Sequence, residues 1–186
     1  MKIPQSSRKK LLVIVDVQPS FLRERNKGVV KNIVELLAHV PYDAYANATF
    51  HAERGSLWDI QQQWICSQGT GTETVEILAN ELKKYQNVVD VHKTTKSVFK
   101  GDEDIAAIFK ERGIQEVHVV GVDTNDCVLA TAYEAFDLGF VTYVIEECSQ
   151  SSSSDSLHEK GLALLRHQNM TNNSCIEKIE FMDIEA

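Results

Sequence analysis

No apolar run in these 186 residues approaches the length that spans a bilayer, so a membrane-spanning helix is not expected. Cysteine is sparse: Cys66, Cys127, Cys148 and Cys175 show neither metal-ligand spacing nor the density of a disulfide framework. A reducing compartment, the cytoplasm, is expected. Basic residues are outnumbered, with 19 Lys and Arg against 27 Asp and Glu and a net charge of −8. The one basic cluster, Arg8-Lys9-Lys10, is short and precedes an apolar run. Nucleic acid and anionic membrane are therefore not expected partners. The opening MKIPQSSRKK lacks the order of a secretory signal. No G-x-G-x-x-G turn follows the first apolar run and no P-loop is present, which argues against a Rossmann-type nucleotide binder.

What is present is one domain's worth of alternating strand and helix signals, with 43% hydrophobic residues. Residues 1–9 read as a mobile N-terminal arm and 10–186 as a single domain. Lys10 to Val17 is a β-branched apolar run that leads into Asp16 and Gln18. Val29 to Val40 has helical spacing and Pro41 closes it. Strands are expected at 45–50 and 88–92, helices at 72–85 and 102–112, and a sixth strand at 174–181. This repeating βα order predicts a three-layer α/β/α sandwich around a mostly parallel sheet of five to six strands.

The segment 117–150 carries the clearest unit. Val117, Val119, Val120 and Val122 suit a strand buried on both faces. Asp123-Thr124-Asn125-Asp126 follows, rich in oxygens that accept from free N–H groups at a helix start, with Cys127 in the first turn. Val128, Ala132, Ala135 and Phe136 continue at helical spacing to Gly139. The dipole of a helix start favours a thiolate. A small buried hydrophobe is the alternative for such a cysteine.

Asp16, Lys93 and Cys127 each fall at the carboxyl end of an expected strand. In a parallel sheet those ends share one rim, where ligands bind. Cysteine supplies a nucleophile, aspartate a proton acceptor and lysine a cation that keeps the acid ionised. Acids after strands also serve as caps, and Lys93 has Lys96 and Lys100 for neighbours.

The segments LLVIVDVQPSF, VHKTTKSVF and VVGVDTNDCVLATAYEAFDLGF with VTYVIEECSQS resemble, in this order and spacing, the isochorismatase-like cysteine hydrolases. That superfamily includes nicotinamidases, N-carbamoylsarcosine amidohydrolase and isochorismatase, and the resemblance covers nearly the whole chain. It implies Asp16 as general base and later acid, Lys93 as its cation and Cys127 as nucleophile. Lys93 is preferred to Lys96, which falls where the family has a non-catalytic residue. The resemblance also implies a cis peptide at Val122-Asp123, with the N–H groups of Asp123 and Cys127 forming an oxyanion hole. The activity implied is amide hydrolysis through a thioester, without cofactor, on a small molecule. Vinyl ether cleavage, as in isochorismatase itself, and a non-catalytic binding or scaffold role are the alternatives. A homodimer or higher homo-oligomer is expected from the family.

One departure stands out. Nicotinamidases bind metal through an Asp-x-His pair after the second strand of the domain, plus a more distant histidine. Here that segment reads Thr49-Phe50-His51, so no catalytic metal is expected. The irregular 51–71 loop, with Trp58 and Trp64, is expected to shape a pocket or to pack on the core. Phe21, His51, Trp58 and Tyr133 are the candidate pocket residues. Cys66 in this loop could be exposed, and nothing beside it suggests activation.

Overall fold

The computed structural model describes residues 1–67, 69, 71–171 and 180–183. After β1 (Lys2–Gln5) and β2 (Lys10–Val15) come α1 (Gly28–His39), β3 (Ala44–Phe50), α2 (Leu57–Gln62) and α3 (Glu76–Leu82). Then follow β4 (Val88–Lys93), α4 (Ile105–Glu111), β5 (Glu116–Val122), a π turn (Thr124–Val128) and α5 (Leu129–Asp137). The chain continues through β6 (Val141–Gln150), α6 (Asp155–His167) and β7 (Glu180–Asp183). Five strands form one parallel sheet in the order β4-β3-β2-β5-β6.

The two faces of the sheet follow from the alternation of side chains along a strand. Leu11, Val13 and Val15 of β2 point into one apolar layer with Phe109 of α4, Ala132 of α5 and Leu165 of α6. Leu12 and Ile14 point into the other, against Ile33 and Leu36 of α1 and Leu78 of α3. Burial on both faces is why β2 reads as a nearly continuous apolar run, while β5, equally buried, carries the mutually paired Glu116 and His118 among its valines. The three-layer α/β/α sandwich is therefore the observed fold, with five strands in its sheet.

The expected arm does not stand alone. Lys2–Gln5 pairs antiparallel with Glu180–Asp183 in a separate two-stranded sheet. Local periodicity in the first residues cannot reveal a partner so distant in sequence. Of the expected 174–181 strand, residues 174–179, Cys175 among them, lie outside the described residues, and its last two residues belong to Glu180–Asp183, which joins β1 rather than the parallel sheet.

The strand order reverses between β2 and β5: the chain builds outward from β2 through β3 to β4, then returns to add β5 and β6 on the other side. Loops leaving β2 and β5 diverge at such a switch point and open a crevice at the carboxyl edge. Gly121 lets the two strands approach there. Its φ is 117°, and a Cβ in its place would lie 2.2 Å from the Val15 carbonyl oxygen. Among the described residues no helix is long and apolar enough to cross a membrane.

Candidate active site

Asp16 follows the last residue of β2 and turns into the left-handed region at φ 53°, while its amide still donates to Ala48 O at 3.1 Å. The buried Gln18 fixes this corner. Its Nε2 donates to Phe50 O (3.0 Å) and Thr72 O (2.6 Å), and its Oε1 accepts from Phe50 N (2.7 Å). The ends of β2 and β3 are thereby locked together, and the Asp16 carboxylate is held fully buried.

Lys93 is the last residue of β4, and β3 lies between it and Asp16. Two strand spacings, roughly 10 Å, must be crossed, which demands a long side chain. The lysine arm runs past the Phe50 ring, with Nζ 4.9 Å from its centroid, and donates to Asp16 Oδ2 at 2.7 Å and Thr95 O at 3.0 Å. Both side chains of this ion pair are buried.

Cys127 lies in the π turn after β5, one strand from Asp16 on the other side, and is itself buried. The Val122-Asp123 peptide that enters this turn is cis. Asp123 is anchored by Ser152, whose N and Oγ both donate to its carboxylate at 2.7 Å. His158 Nδ1 and Thr124 Oγ1, 2.9 Å apart, join the turn to α6.

The electrostatics overturn one expectation. A helix start favours the thiolate, yet burial pushes the Cys127 thiol well above its ordinary range, the Asp16 charge pushes it further, and Lys93 only partly opposes them. Burial also raises the Asp16 carboxyl, against the pull of the Lys93 ammonium. For Lys93, burial is the largest single effect and works against the charge, but Asp16 and Cys127 together outweigh it and raise the ammonium above its ordinary range. Burial thus favours the thiol at Cys127, while the Asp16–Lys93 contact favours the charged form of both its partners. Asp16 Oδ2 is engaged by Lys93. Oδ1 is buried and has no hydrogen-bond partner of ordinary geometry among the described residues. The Cys127 thiol is the titratable donor interacting with that carboxylate.

Above the thiol lies a cavity of about 30 Å³, walled by Phe21, Phe50, Trp58 and Trp64 together with Asp123 and Asp126. Phe50 meets Trp58 edge-on at 4.8 Å between ring centroids, and Phe21 meets Trp64 at 5.5 Å. Of the candidate pocket residues, Phe21 and Trp58 line this cavity. Trp64, from the loop expected either to shape a pocket or to pack on the core, is also in the wall; Phe50 and Asp126 are additional wall residues that nothing local in the sequence distinguished from core or cap residues.

Two expected pocket residues lie elsewhere. Tyr133 packs against the core layer beneath α5. His51 lines a cleft of about 580 Å³ on the outer side of β3 and β4, with Asn47, Thr49, Asp90 and His92. The strand alternation that turns Lys93 inward turns His92 outward, so His51 and His92 share that cleft. Cys66 is buried rather than exposed, because Ala52 and Cys66 pair as an isolated antiparallel bridge under the loop. The donor set does not fit a metal. Thr49 Oγ1 and His92 Nδ1 lie 2.9 Å apart, and no group of three or more His, Cys, Asp or Glu among the described residues is placed to hold an ion.

Comparison with known proteins gives this arrangement a family. A segment of 76 residues is 40% identical to the uncharacterised isochorismatase family protein PncA of Bacillus subtilis, covering 38% of this chain and 41% of that one. Another of 85 residues is 28% identical to the ureidoacrylate amidohydrolase RutB of Caulobacter segnis, covering 46% of this chain and 35% of that one. The chain thus spans well under half the length of either relative. Among solved structures, the Staphylococcus aureus nicotinamidase SaPncA is 26% identical with a TM-score of 0.68, covering 85% of this chain and 92% of that one. The pyrazinamidase of Pyrococcus horikoshii, solved with zinc, shares the fold with a TM-score of 0.73 at 18% identity, covering 88% of this chain and 97% of that one. Residues 10–174 match the family model of the isochorismatase domain, and the chain belongs to the isochorismatase family.

Proposed function

We propose that this protein is a cysteine hydrolase that cleaves the C–N bond of a small amide through a thioester, with no metal in the reaction. One observation carries the reading. Asp16 has one carboxylate oxygen engaged by a buried ammonium and the other buried without a hydrogen-bond partner among the described residues, while the Cys127 thiol interacts with the same carboxyl group. Leaving a carboxylate oxygen unsatisfied in the interior is costly, and an acceptor kept open beside a nucleophile has a use.

In the proposed sequence Asp16 Oδ1 takes the Cys127 proton as sulfur bonds to the substrate carbonyl carbon. The N–H groups of Asp123 and Cys127 stabilise the oxyanion. As the C–N bond breaks, Asp16 returns the proton to the departing nitrogen. Water then attacks the thioester, giving its proton to Asp16, and the thiol is regenerated. Burial suits Asp16 to both roles, because a raised pKa makes it a better acceptor and the nearby ammonium keeps it ionised until needed. The names of the relatives, a ureidoacrylate amidohydrolase and a nicotinamidase, suggest amides to try first.

Ammonia release from nicotinamide, pyrazinamide and ureidoacrylate tests this directly, with mass spectrometry to find an acyl adduct on Cys127. Turnover of one of them is expected, lost in Cys127→Ala and reduced by roughly 10² to 10⁴ in Asp16→Asn, the usual range for a general acid–base group. Hydrolysis that survives Cys127→Ala would overturn the thioester.

A further inference from the structure

The cavity above Cys127, at about 30 Å³, holds a water or two and no substrate. Next to it lies a second cleft of about 510 Å³, between α2 and the 94–96 segment, in the size range of small-molecule sites. Trp58 is common to the walls of both. The outer cleft is bordered chiefly by Leu57, Trp58, Gln61, Gln62, Thr95 and Lys96, and Lys96 is the one charged residue among the described residues lining it.

Lys96 also holds the partition in place. Its ammonium sits over the Trp58 ring, 4.8 Å from the centroid, and pairs with Asp126, the neighbour of Cys127. Trp58 is also held by its own Nε1, which donates to Thr94 O at 2.8 Å. The Lys96–Asp126 pair is substantially exposed, at 47% and 33% of the two side chains, so its net stabilisation is small and another anion can replace Asp126 at little cost.

Resting on the amide-hydrolase reading, we propose that Lys96 is a specificity residue that reads a carboxylate on the substrate. The scissile amide sits at Cys127 and the acid lies in the outer cleft. A substrate carboxylate takes Lys96 from Asp126, the ammonium leaves the Trp58 face, and the partition opens. The freed Asp126 is exposed enough to be solvated. An ammonium tail in the outer cleft would meet only Lys96, a like charge. The inner cavity offers Asp123, Asp126 and aromatic faces to a cation, but it is too small to contain one with its substrate.

Three matched iodoacetamides test this on the intact protein, with tails ending in a carboxylate, a methyl amide and an ammonium, each two carbons from the amide nitrogen. Cys127 alkylation is followed by mass spectrometry. The carboxylate probe is expected to react about tenfold faster than the methyl amide and the ammonium probe slowest, as for one charge-assisted contact. In Lys96→Met the carboxylate preference should fall to about one, and in Lys96→Glu the order should reverse. Lys100→Met, which changes a neighbouring lysine paired with Glu134, should keep the wild-type ratio. Equal rates for all three probes on a reactive Cys127, or a preference that persists in Lys96→Met, overturn the Lys96 assignment alone. A Cys127 inert to all three overturns the hydrolase reading and this one with it.

Discussion

Replacing Lys93 with methionine keeps most of the arm that passes Phe50 and removes only the ammonium. Asp16 is then buried with no cation, and breaking a buried pair in this way costs about 3–5 kcal/mol. The carboxyl has an escape, since it can take up a proton. Relative to an unfolded aspartate at its ordinary pKa of 3.8, keeping it neutral at pH 7 costs about 1.4 kcal/mol for each of 3.2 pH units, or about 4.5 kcal/mol. The two figures agree, so the variant should fold with a protonated Asp16. The sign of the pH dependence follows. In the variant the folded state binds the proton more tightly than the unfolded state, so folding gains as pH falls. The deficit against wild type should shrink by about 1.4 kcal/mol per unit between pH 7 and pH 6. Urea unfolding followed by tryptophan fluorescence measures this, because both tryptophans of the chain, Trp58 and Trp64, stand over the site. Combining Lys93→Met with Asp16→Leu should recover most of the loss, as it removes the stranded charge. A deficit below about 1 kcal/mol at pH 7, or one that does not change with pH, would refute the account of this pair as a mutually dependent buried couple.

Alkylation of Cys127 by iodoacetamide should slow by at least about tenfold in Asp16→Asn, because the thiol loses its proton acceptor in a setting that disfavours the free thiolate. An unchanged rate would remove Asp16 from the activation of sulfur. Gly121→Ala should cost about 2–5 kcal/mol in urea unfolding, from a positive φ together with a Cβ placed against Val15 O and N. His118, fully buried between Tyr42 and Glu116, is held below its ordinary pKa of 6.5, by burial first and against the pull of Glu116. Its contribution is complete above pH 6.5 and is lost as pH falls through that value. Stability should decline below pH 6.5 in the wild type and less steeply in His118→Gln, as read from unfolding curves at half-unit steps.

The strand ends were legible because the long apolar run of β2 stops abruptly at Asp16, and the alternating β4 ends at Lys93, residues that cannot be buried without a partner. Asp16 after Val15 and Lys93 after Val91-His92 mark the rim of the sheet with no structure in hand. Helix limits were less visible. The expected 72–85 helix begins only at Glu76, since Thr72 O is taken by Gln18 and the Thr74 hydroxyl exchanges hydrogen bonds with Asn47. Asp102, expected to start a helix, accepts instead from His92 N, and Asp104 caps α4 by accepting from Ala107 N. The short α2 was missed inside the irregular loop, although Ser56 and Asp59 form a readable start: Ser56 Oγ accepts from Asp59 N and Asp59 Oδ2 from Gly55 N. Cys127 could be placed in the first turn but not given its ionisation state. Helix position is a local property, whereas burial is set by four rings from three distant segments.

The Asp16–Lys93 pair also tells the chain how its strands must line up. Sliding β4 by one residue against β3 would invert every side chain of β4. Lys93 would turn to the outer cleft, His92 would turn inward, and a carboxylate would be left alone at the middle of the sheet. Apolar residues tolerate such slippage, since valine in one row resembles valine in the next, and β4 offers three valines, Val88, Val89 and Val91, as interchangeable contacts. The ion pair accepts one alignment only. The couple proposed for the chemistry would thus also act as a proofreading contact for folding. A variant in which both residues are made apolar gains robustness while surrendering the one feature that tells the correct sheet from its nearest misaligned copy.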